Sequence, residues 1–203
     1  MSADAAGKDR SRCPWGQANE WCIPYHDEEW GAPAHDEIRH FEFLVLEAAQ
    51  AGLSWLTILK RRDGYRKAYH GFDPQRVARF TARDVQRLLG DPGIIRNRLK
   101  VESSINNARR FREVQKEFGS FDAYLWKWTG GMPVVNTWSA QKQIPARTEL
   151  SDAVSKDLKA RGFSFVGSTI IYSHLQAVGV VNDHLVSCFR WREVQRAAGS
   201  ASP

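Results

Sequence analysis

Long apolar runs are missing from this sequence: none approaches the roughly 18 residues that indicate a membrane span, and the N-terminus has no apolar signal core. Cysteine is scarce, and an odd count of three does not indicate a disulfide scaffold. Neither an internal repeat nor a series of alternating apolar and polar residues typical of strands is present. These absences predict a cytoplasmic protein without a membrane partner, whose cysteines are buried or bind a metal.

The residues that are present suit one folded domain. Of the 203 residues, 42% are hydrophobic and eight are tryptophan, which is enough for a sizeable core and suits a monomer. The 29 basic and 23 acidic residues leave a net charge of +6, which is compatible with a phosphate-bearing partner but not diagnostic of one. Small polar residues predict a disordered N-terminus over residues 1–11 and a flexible tail over residues 191–203, so the domain is expected over residues 12–190.

Helical periodicity dominates the chain and predicts an all-α fold. Over residues 36–50, Ile38, Phe41 and Leu44 fall on one stripe and acids occupy the first turn, which indicates a helix ended by Gly52. Further helices are predicted over residues 55–70, 74–80, 82–89, 99–118, 121–128, 152–162 and 168–188, with a loop over residues 129–145. The expected N-terminal caps are Ser54, Asp73, Thr81 and Ser151.

Two Cys–His pairs at opposite ends of the chain have the composition of a metal site. Twelve residues separate Cys13 from His26, and His184 and Cys188 stand four positions apart, on one face of the helix predicted there. Two cysteines and two histidines are the usual donors of a closed, tetrahedral structural zinc site, which would join the N-terminal segment to the last helix. The alternative is that these are buried cysteines and ordinary histidines, and Cys22 competes with Cys13 as a donor.

Glu47 is a carboxylate in an apolar helix, next to Phe43 and Leu44 on the same helical edge. Burying a carboxylate costs several kcal/mol unless it is paired or hydrogen-bonded. The nearby helix C-terminus also disfavours its charge and raises its pKa. Glu47 is therefore either a functional group held in an apolar wall, or a side chain that extends to solvent or pairs with an arginine.

The segment LLGDPGIIRNRLK, residues 88–100, predicts a short glycine-containing turn between two helices. The backbone amides of such a turn can bind a phosphate, with help from the dipole of the second helix. Arg96, Arg98 and Lys100 would add positive charge beside it and would position a duplex without distinguishing its sequence. The alternative is an ordinary turn with a solvated basic face.

Seven blocks of the sequence resemble, in content and order, those of the DNA-3-methyladenine glycosylase I family, helix-hairpin-helix enzymes of base-excision repair. The blocks are RCPW, YHDEEWG, LEAAQAGLSW, GFDPQRVA, GIIRNRLK, LSDAVSKDLKARGFSFVG and AVGVVNDHLVSC. The resemblance covers roughly residues 12–190. It implies a monofunctional glycosylase that extrudes N3-methyladenine from alkylated double-stranded DNA, hydrolyses its N-glycosidic bond and releases free 3-methyladenine.

The resemblance also implies roles for individual residues. It assigns a structural zinc ion to Cys13, His26, His184 and Cys188. It makes Glu47 the carboxylate that recognises the base and aids catalysis. Stacking falls to Tyr25 and Trp55, and Trp30 lines the pocket. The turn that meets the DNA is Gly52–Leu53, and the phosphate-binding loop surrounds Gly93 with the basic residues Arg96, Arg98 and Lys100.

The sequence departs from the family pattern at two positions, with Cys22 in place of an aromatic residue and Ala48 in place of a glycine. Asp27, Glu28 and Glu29 are expected on the loop surface, and no carboxylate stands out as an activator of water. Two other functions share features with this sequence. The motif from His26 to Glu28 fits part of a zinc deaminase, but the required P-C-x-x-C motif is absent. The second is a non-catalytic, zinc-stabilised DNA- or base-binding module on the same fold.

Overall fold

The structure, a computed structural model, describes residues 10–200, and helices make up most of this range. Residues 1–9 and 201–203, which include most of the predicted disordered N-terminus and the end of the predicted tail, lie outside the described residues. The α-helices are α1 (Cys22–Pro24), α2 (Glu37–Gln50), α3 (Trp55–Leu59), α4 (Arg62–Ala68), α5 (Pro74–Val77), α6 (Ala82–Gly90), α7 (Arg98–Phe118), α8 (Phe121–Trp126), α9 (Glu149–Ala160), α10 (Ser168–Ala177) and α11 (Phe189–Ser200). None of them, within the described range, has the length and apolar character needed to cross a bilayer.

Short helical turns connect several of these elements. A single π-helical turn spans Tyr25–Glu29, in the N-terminal segment for which the sequence shows little periodicity. Turns of 3-10 helix span Pro14–Gln17, His70–Phe72, Lys127–Thr129 and Gln141–Gln143. The N-terminal segment therefore has local helical structure, in turns too short to produce a periodic apolar pattern.

The central helix is α2, which is buried from His40 to Ala49 and packs against α3, α7, α8 and α10. It begins where the sequence predicts, because the Asp36 side chain accepts a hydrogen bond from the Arg39 amide at 2.8 Å. Phe41 on α2, Phe111 on α7 and Phe121 on α8 form the middle of the core, with the last two rings stacked at 4.3 Å. This packing holds α2 in place from one side and leaves its C-terminal half facing the candidate site.

Local capping confirms most of the predicted helix starts and corrects one. Ser54, Asp73 and Thr81 are N-terminal caps, as expected. Ser151 is not: the cap of α9 is Thr148, whose amide donates to the Ser151 hydroxyl at 2.8 Å in a reciprocal pair. The sequence contains two hydroxyl residues at suitable spacing, and the earlier one begins the helix.

The predicted helix over residues 55–70 is two helices, α3 and α4. The Arg61 amide donates to the Ile58 carbonyl at 2.9 Å, which is the tighter spacing of a 3-10 turn, and this turn separates the two helices. The helices predicted over residues 74–80, 82–89, 99–118 and 121–128 correspond to α5, α6, α7 and α8, and α5 is shorter than expected.

The largest error in the sequence-based fold is the helix expected over residues 168–188. Helix α10 ends at Ala177, because the chain turns at Gly179 with a φ of +73°. A Cβ at this glycine would lie 2.3 Å from the Ala32 carbonyl carbon, so the close approach requires glycine. Strand β2 (Val181–Asn182) follows and pairs in parallel with β1 (Val134–Val135), which lies inside the predicted loop. The fold is thus mostly helical with one very short sheet.

The C-terminal boundary is also different from the expected one. Helix α11 spans Phe189–Ser200, whereas the sequence predicted a flexible tail from residue 191. The Trp191 indole donates to the Asn136 carbonyl at 2.8 Å, and the Val194 side chain is buried. These contacts attach the beginning of α11 to the rest of the domain.

Candidate functional site

A cavity of about 380 Å³ opens beside the C-terminal half of α2. One side is made of four aromatic rings and two polar residues of α2: Trp15, Tyr25, Trp30, Trp55, Glu47 and Gln50. The other side combines the loop before α9 with one face of α10: Gln141, Ile144, Pro145, Ala146, Thr169, Tyr172, Ser173 and Gln176. A largely aromatic cavity with a few converging polar groups is typical of a site for a small planar ligand.

The π-helical turn Tyr25–Glu29 positions the aromatic side of the cavity. Its wide hydrogen bond, from the Trp30 amide to the Tyr25 carbonyl at 2.9 Å, directs Tyr25 and Trp30 into the wall. Tyr25 lies 5.2 Å from Trp55, centroid to centroid, and Trp30 lies edge-on to Trp15 at 4.9 Å. The predicted residues Tyr25, Trp30 and Trp55 are therefore together in one pocket.

Glu47 is the acidic group of this pocket. Its side chain is buried, with 4% of the residue exposed, and burial raises its pKa to about 8. No hydrogen bond or ion pair to its carboxyl group is present within residues 10–200. The structure thus rules out the alternative in which Glu47 extends to solvent or pairs with an arginine.

The polar wall of the pocket is arranged by Asp183, a fully buried carboxylate at the end of β2. It accepts hydrogen bonds from the Tyr172 hydroxyl and from the Gln176 amide, the latter at 2.6 Å. On its other side it accepts from Asn136 and from the Trp138 indole, both at 2.7 Å. This single acid therefore holds two pocket residues of α10 against the segment that carries β1.

The sequence-based assignment missed Trp15, Gln50, the loop residues and the whole α10 face. For the α10 face, the sequence does contain a pattern that could have identified it. Thr169, Tyr172, Ser173 and Gln176 form a polar stripe at helical spacing on one face of this helix. Neither of the two departures from the family pattern lines the pocket: Cys22 accepts a hydrogen bond from the Asn19 amide at 3.2 Å, and Ala48 is buried on α2.

A second cluster lies beside the aromatic wall and contains the four predicted metal ligands. Their donor atoms all lie within 4.8 Å of one another, and all four residues, Cys13, His26, His184 and Cys188, are buried. The sequence placed the two predicted ligands near the C-terminus on one helix, and this prediction was wrong. They belong to the turn between β2 and α11, where the Cys188 amide donates to the Leu185 carbonyl at 2.8 Å.

The distances in this cluster suit a tetrahedral metal. The Cys188 sulfur lies 3.5 Å from His26 Nε2 and 3.6 Å from His184 Nδ1, and the Cys13 sulfur lies 3.7 Å from His184 Nδ1. Ideal tetrahedral zinc geometry separates sulfur and nitrogen ligands by about 3.5 Å. The remaining histidine nitrogens are also partnered, His26 Nδ1 with Asp27 at 2.8 Å and His184 Nε2 with the Trp30 carbonyl at 2.9 Å. Such outer partners orient metal-binding histidines.

The sequence predicted that all three acids after Tyr25 lie on the loop surface. This prediction was wrong for two of them. Asp27 pairs with Arg12 at 2.8 Å, and Glu29 makes two hydrogen bonds to Arg62, at 2.6 and 2.8 Å. Burial alone would raise the pKa of Asp27, but hydrogen bonds from Arg12 and His26 lower it. Only Glu28 among the three is exposed, so two of these acids stabilise the π-helical turn.

The turn predicted to meet DNA lies at the edge of the pocket. We call residues 51–53 the mouth turn. Gly52 has a φ of +76°, and Leu53 is 41% exposed. A second cavity of about 170 Å³ borders this turn and shares Glu47 with the main pocket. The exposed Leu53 therefore stands next to an opening that leads to the buried carboxyl group.

The loop predicted to bind phosphate connects α6 to α7. We call residues 91–97 the hairpin loop. The Gly93 amide is used internally, since it donates to Asp91 at 2.7 Å, and the Ile95 amide donates to the Tyr65 hydroxyl. A Cβ on Gly64 would come within 2.2 Å of the Gly93 carbonyl oxygen, so the loop is packed tightly on α4. Donors for an external phosphate are therefore expected from Arg96 and from the first turn of α7 rather than from Gly93 itself.

Arg96 and Arg98, in and just after the hairpin loop, are exposed. The ammonium group of Lys100, in contrast, has partners within the protein. Lys100 Nζ donates to the Ala49 carbonyl at 2.8 Å and to the Ala51 carbonyl at 2.6 Å. The structure thus gives Lys100 an internal contact that the sequence did not suggest. The DNA-binding assignments of Gly52, Leu53, Gly93, Arg96, Arg98 and Lys100 stay predictions.

A helical domain whose aromatic pocket contains a buried, unpaired carboxyl group suits an enzyme that holds an extruded base, as DNA glycosylases do. Comparison with known proteins specifies the family. The sequence model of the methyladenine glycosylase family matches residues 15–191, and the chain belongs to that family.

Curated relatives and solved structures agree with this assignment. The chain is 46% identical to DNA-3-methyladenine glycosylase 1 of Escherichia coli over 177 residues, which are 87% of this chain and 95% of that protein. It is 42% identical to the DNA-3-methyladenine glycosylase of Haemophilus influenzae, over 88% of this chain and 96% of the relative. A crystal structure of 3-methyladenine DNA glycosylase I superposes with a TM-score of 0.85 at 46% identity, over 88% of this chain and 98% of the other.

A Staphylococcus aureus structure described as showing the basis of 3-methyladenine recognition superposes equally well. Its TM-score is 0.85 at 36% identity, and the match covers 88% of this chain and 95% of the other. The resemblance noted in the sequence is therefore confirmed over nearly the whole described chain.

Proposed function

We propose that this protein is a base-excision repair glycosylase that removes 3-methyladenine from alkylated DNA. The observation that carries the proposal is the buried, unpartnered carboxyl group of Glu47 in a pocket walled by Tyr25 and Trp55. The family to which the chain belongs supports the same activity.

The pocket is suited to a cationic base. Adenine methylated at N3 carries a positive charge in DNA, and electron-rich ring faces attract a cation by ~0.5–2 kcal/mol each. Tyr25 and Trp55 supply two such faces. When Glu47 ionises, its carboxylate can accept a hydrogen bond from the exocyclic amine and balance the charge, and this pairing is stronger in a dry pocket than in water.

Cleavage follows from the charge of the base. The bond between C1′ and N9 breaks and its electron pair moves to the base, which leaves as neutral 3-methyladenine. A water oxygen bonds to C1′ and gives its proton to solvent. Because the leaving base is already activated, the main tasks of Glu47 are recognition and electrostatic stabilisation of the extruded base.

The direct test measures release of 3-methyladenine from methylated duplex DNA. Glu47→Gln keeps the shape and loses the charge, so we expect single-turnover release to fall by roughly 10²-fold. The matched control is Glu28→Gln, which removes an exposed acid from the adjacent loop and should leave release unchanged. Equal release by wild type and Glu47→Gln would contradict the assigned role.

A non-catalytic base-binding module on the same fold is the second function, and the same assay separates the two. A wild-type protein that binds 3-methyladenine without releasing it from DNA would be such a module. The buried carboxyl group favours the enzyme, because burial without a partner raises the free energy of the folded state and a simple stacking site does not require it.

The cysteine–histidine cluster fits a structural zinc ion bound by Cys13, His26, His184 and Cys188. The pKa of Cys188 is lowered by its hydrogen bond with Cys13, and the same contact together with burial raises the pKa of Cys13. Cysteine thiols lose their protons when they bind a divalent cation, and the short contacts between these four side chains bring the donors together for that purpose. With four protein ligands the ion would have no open position for water, so its contribution would be to join the Tyr25–Glu29 turn to the turn before α11.

The partner proposed for the basic side of the molecule is double-stranded DNA containing an alkylated adenine. The mouth turn would occupy the space left by the extruded base, and the hairpin loop with Arg96 and Arg98 would bind the adjacent phosphates. A cytoplasmic monomer is the proposed form.

A further inference from the structure

The ammonium group of Lys100 sits on the C-terminal end of α2. Its two hydrogen bonds go to the Ala49 carbonyl at 2.8 Å and the Ala51 carbonyl at 2.6 Å. The last carbonyls of a helix lack intrahelical partners and carry the negative end of its dipole. A cation at this point donates hydrogen bonds to these carbonyls and balances the dipole. Burial lowers the pKa of Lys100, in keeping with an ammonium group drawn towards the protein.

This contact supports the backbone from which Leu53 projects. The Leu53 amide donates to the Gln50 carbonyl at 2.6 Å, and Gly52 adopts its left-handed conformation between them. Both ends of the mouth turn are therefore defined by hydrogen bonds, Leu53 by its bond to Gln50 and Ala51 by its bond to Lys100.

Lys100 also belongs to the segment that follows the hairpin loop. It lies in the first turn of α7, where its own amide donates to the capping Asn97 side chain at 3.1 Å. Of the residues within 10–200, Lys100 is thus the one whose side chain hydrogen-bonds the mouth turn from the end of the hairpin loop. The side chain of Lys100 thus forms a direct link between the segment after the hairpin loop and the mouth turn.

We propose that Lys100 is a positioning residue that couples the hairpin loop to the mouth turn, so that phosphate binding at the hairpin sets the placement of Leu53 in the DNA stack. The inference rests on the proposed glycosylase function. It differs from the expectation for Arg96 and Arg98, whose exposed guanidinium groups would bind phosphates directly.

The first experiment separates positioning from phosphate binding. Lys100→Met and the control Arg96→Met each remove one charge, and both are compared with wild type on a duplex carrying a tetrahydrofuran abasic analogue. Each phosphate contact contributes about 0.9 to the slope of log affinity against log salt. We expect Arg96→Met to lower the slope by about that amount and Lys100→Met to leave it unchanged.

The second experiment asks whether Lys100 acts through the mouth turn. Single-turnover release of 3-methyladenine from DNA should fall by roughly 10-fold to 100-fold in Lys100→Met, as expected for a small misplacement. Affinity for free 3-methyladenine, measured by quenching of the pocket tryptophans, should stay the same, because the free base needs no mouth turn. Lys100→Arg should restore part of the activity. Lys100→Gln, which keeps two N–H donors, provides a second variant if Lys100→Met does not fold.

A spectroscopic signal reports on the turn itself. With 2-aminopurine opposite the abasic analogue, entry of Leu53 into the stack should raise the fluorescence of wild-type complexes, and Lys100→Met should reduce that rise. A double-mutant cycle with Leu53→Ala completes the test. The effects of Lys100→Met and Leu53→Ala on release should not add, whereas those of Arg96→Met and Leu53→Ala should.

The outcomes distinguish this inference from the proposed function. If wild-type protein does not release 3-methyladenine, the proposed function fails. If wild type is active and Lys100→Met releases the base at the wild-type rate, lowers the salt slope, or adds fully to Leu53→Ala, the coupling role is overturned.

Discussion

The hydroxyl of Tyr172 donates a hydrogen bond to the carboxylate of Asp183, and this contact connects the wall of the aromatic pocket to the turn that carries His184 and Cys188. Asp183 accepts four side-chain hydrogen bonds in all and is fully buried. The pocket and the cysteine–histidine cluster are therefore parts of one hydrogen-bonded unit.

Asp183→Asn should consequently weaken both the fold and the pocket. An asparagine amide places N–H groups against at least one existing donor, and losing hydrogen bonds to a buried charged acceptor costs about 1.5–3 kcal/mol each. We expect urea unfolding to show a loss of this size and the affinity for free 3-methyladenine to fall. Asp63→Asn, at an 84% exposed side chain, is the matched control and should change neither quantity.

The activity of the enzyme should depend on the ionisation of Glu47. Burial raises the pKa of this carboxyl group to about 8, so in the free protein it is mainly neutral below that pH. Only the ionised form balances a cationic base, and its fraction rises with pH. We expect kcat/KM on methylated DNA to rise tenfold per pH unit below about 8 and to level off above it. A Glu47→Gln profile that kept this rise would assign it to another group.

The sequence was informative wherever structure is decided by neighbours along the chain. Helix α2 and its cap at Asp36 were predictable because apolar spacing and a capping side chain are both local features. Glu47 stood out for the same reason: a charge within an apolar stretch is visible without any knowledge of the fold.

The errors came from contacts between distant parts of the chain. The apolar pattern continues past Ala177, and only the close approach of Gly179 to Ala32 shows why the helix stops. His184 and Cys188 do lie together, but a turn rather than a helix brings them together. The partners of Asp183 come from two separate segments, residues 136–138 and helix α10, so no short motif contains them.

Substitution of one of the four proposed zinc ligands should prevent zinc binding and loosen the N-terminal segment. Cys188→Ser is expected to abolish binding of about one zinc ion per chain and to lower the folding free energy by several kcal/mol, since metal binding is coupled to folding. Metal content by mass spectrometry and thermal unfolding with and without a chelator measure both effects. Cys22→Ser is the control, because Cys22 is buried outside the cluster and should leave the metal bound. Full zinc content in Cys188→Ser would contradict the ligand set.

Acid should destabilise the fold through His174, which is buried between α10 and α2 with neither ring nitrogen hydrogen-bonded within the described residues. Burial, and secondarily the charge of nearby His40, lowers its pKa to about 3, whereas a histidine in the unfolded chain has a pKa of about 6.5. Between these values the unfolded chain binds a proton that the folded chain excludes, so stability falls as pH falls, by up to about 1.4 kcal/mol per unit.

His174→Leu removes this titration and the two unpaired nitrogens. We expect it to be neutral or stabilising at neutral pH and to lose less stability than wild type at about pH 5, by urea unfolding. The control His70→Asn replaces an exposed histidine at a positive φ with a residue that tolerates that conformation. The stability of His70→Asn should depend on pH as it does in wild type. The same holds for any variant that replaces a histidine already exposed to solvent in the fold. An unchanged acid dependence in His174→Leu would place the sensitivity elsewhere, with the His40–Asp122 pair as the next group to substitute.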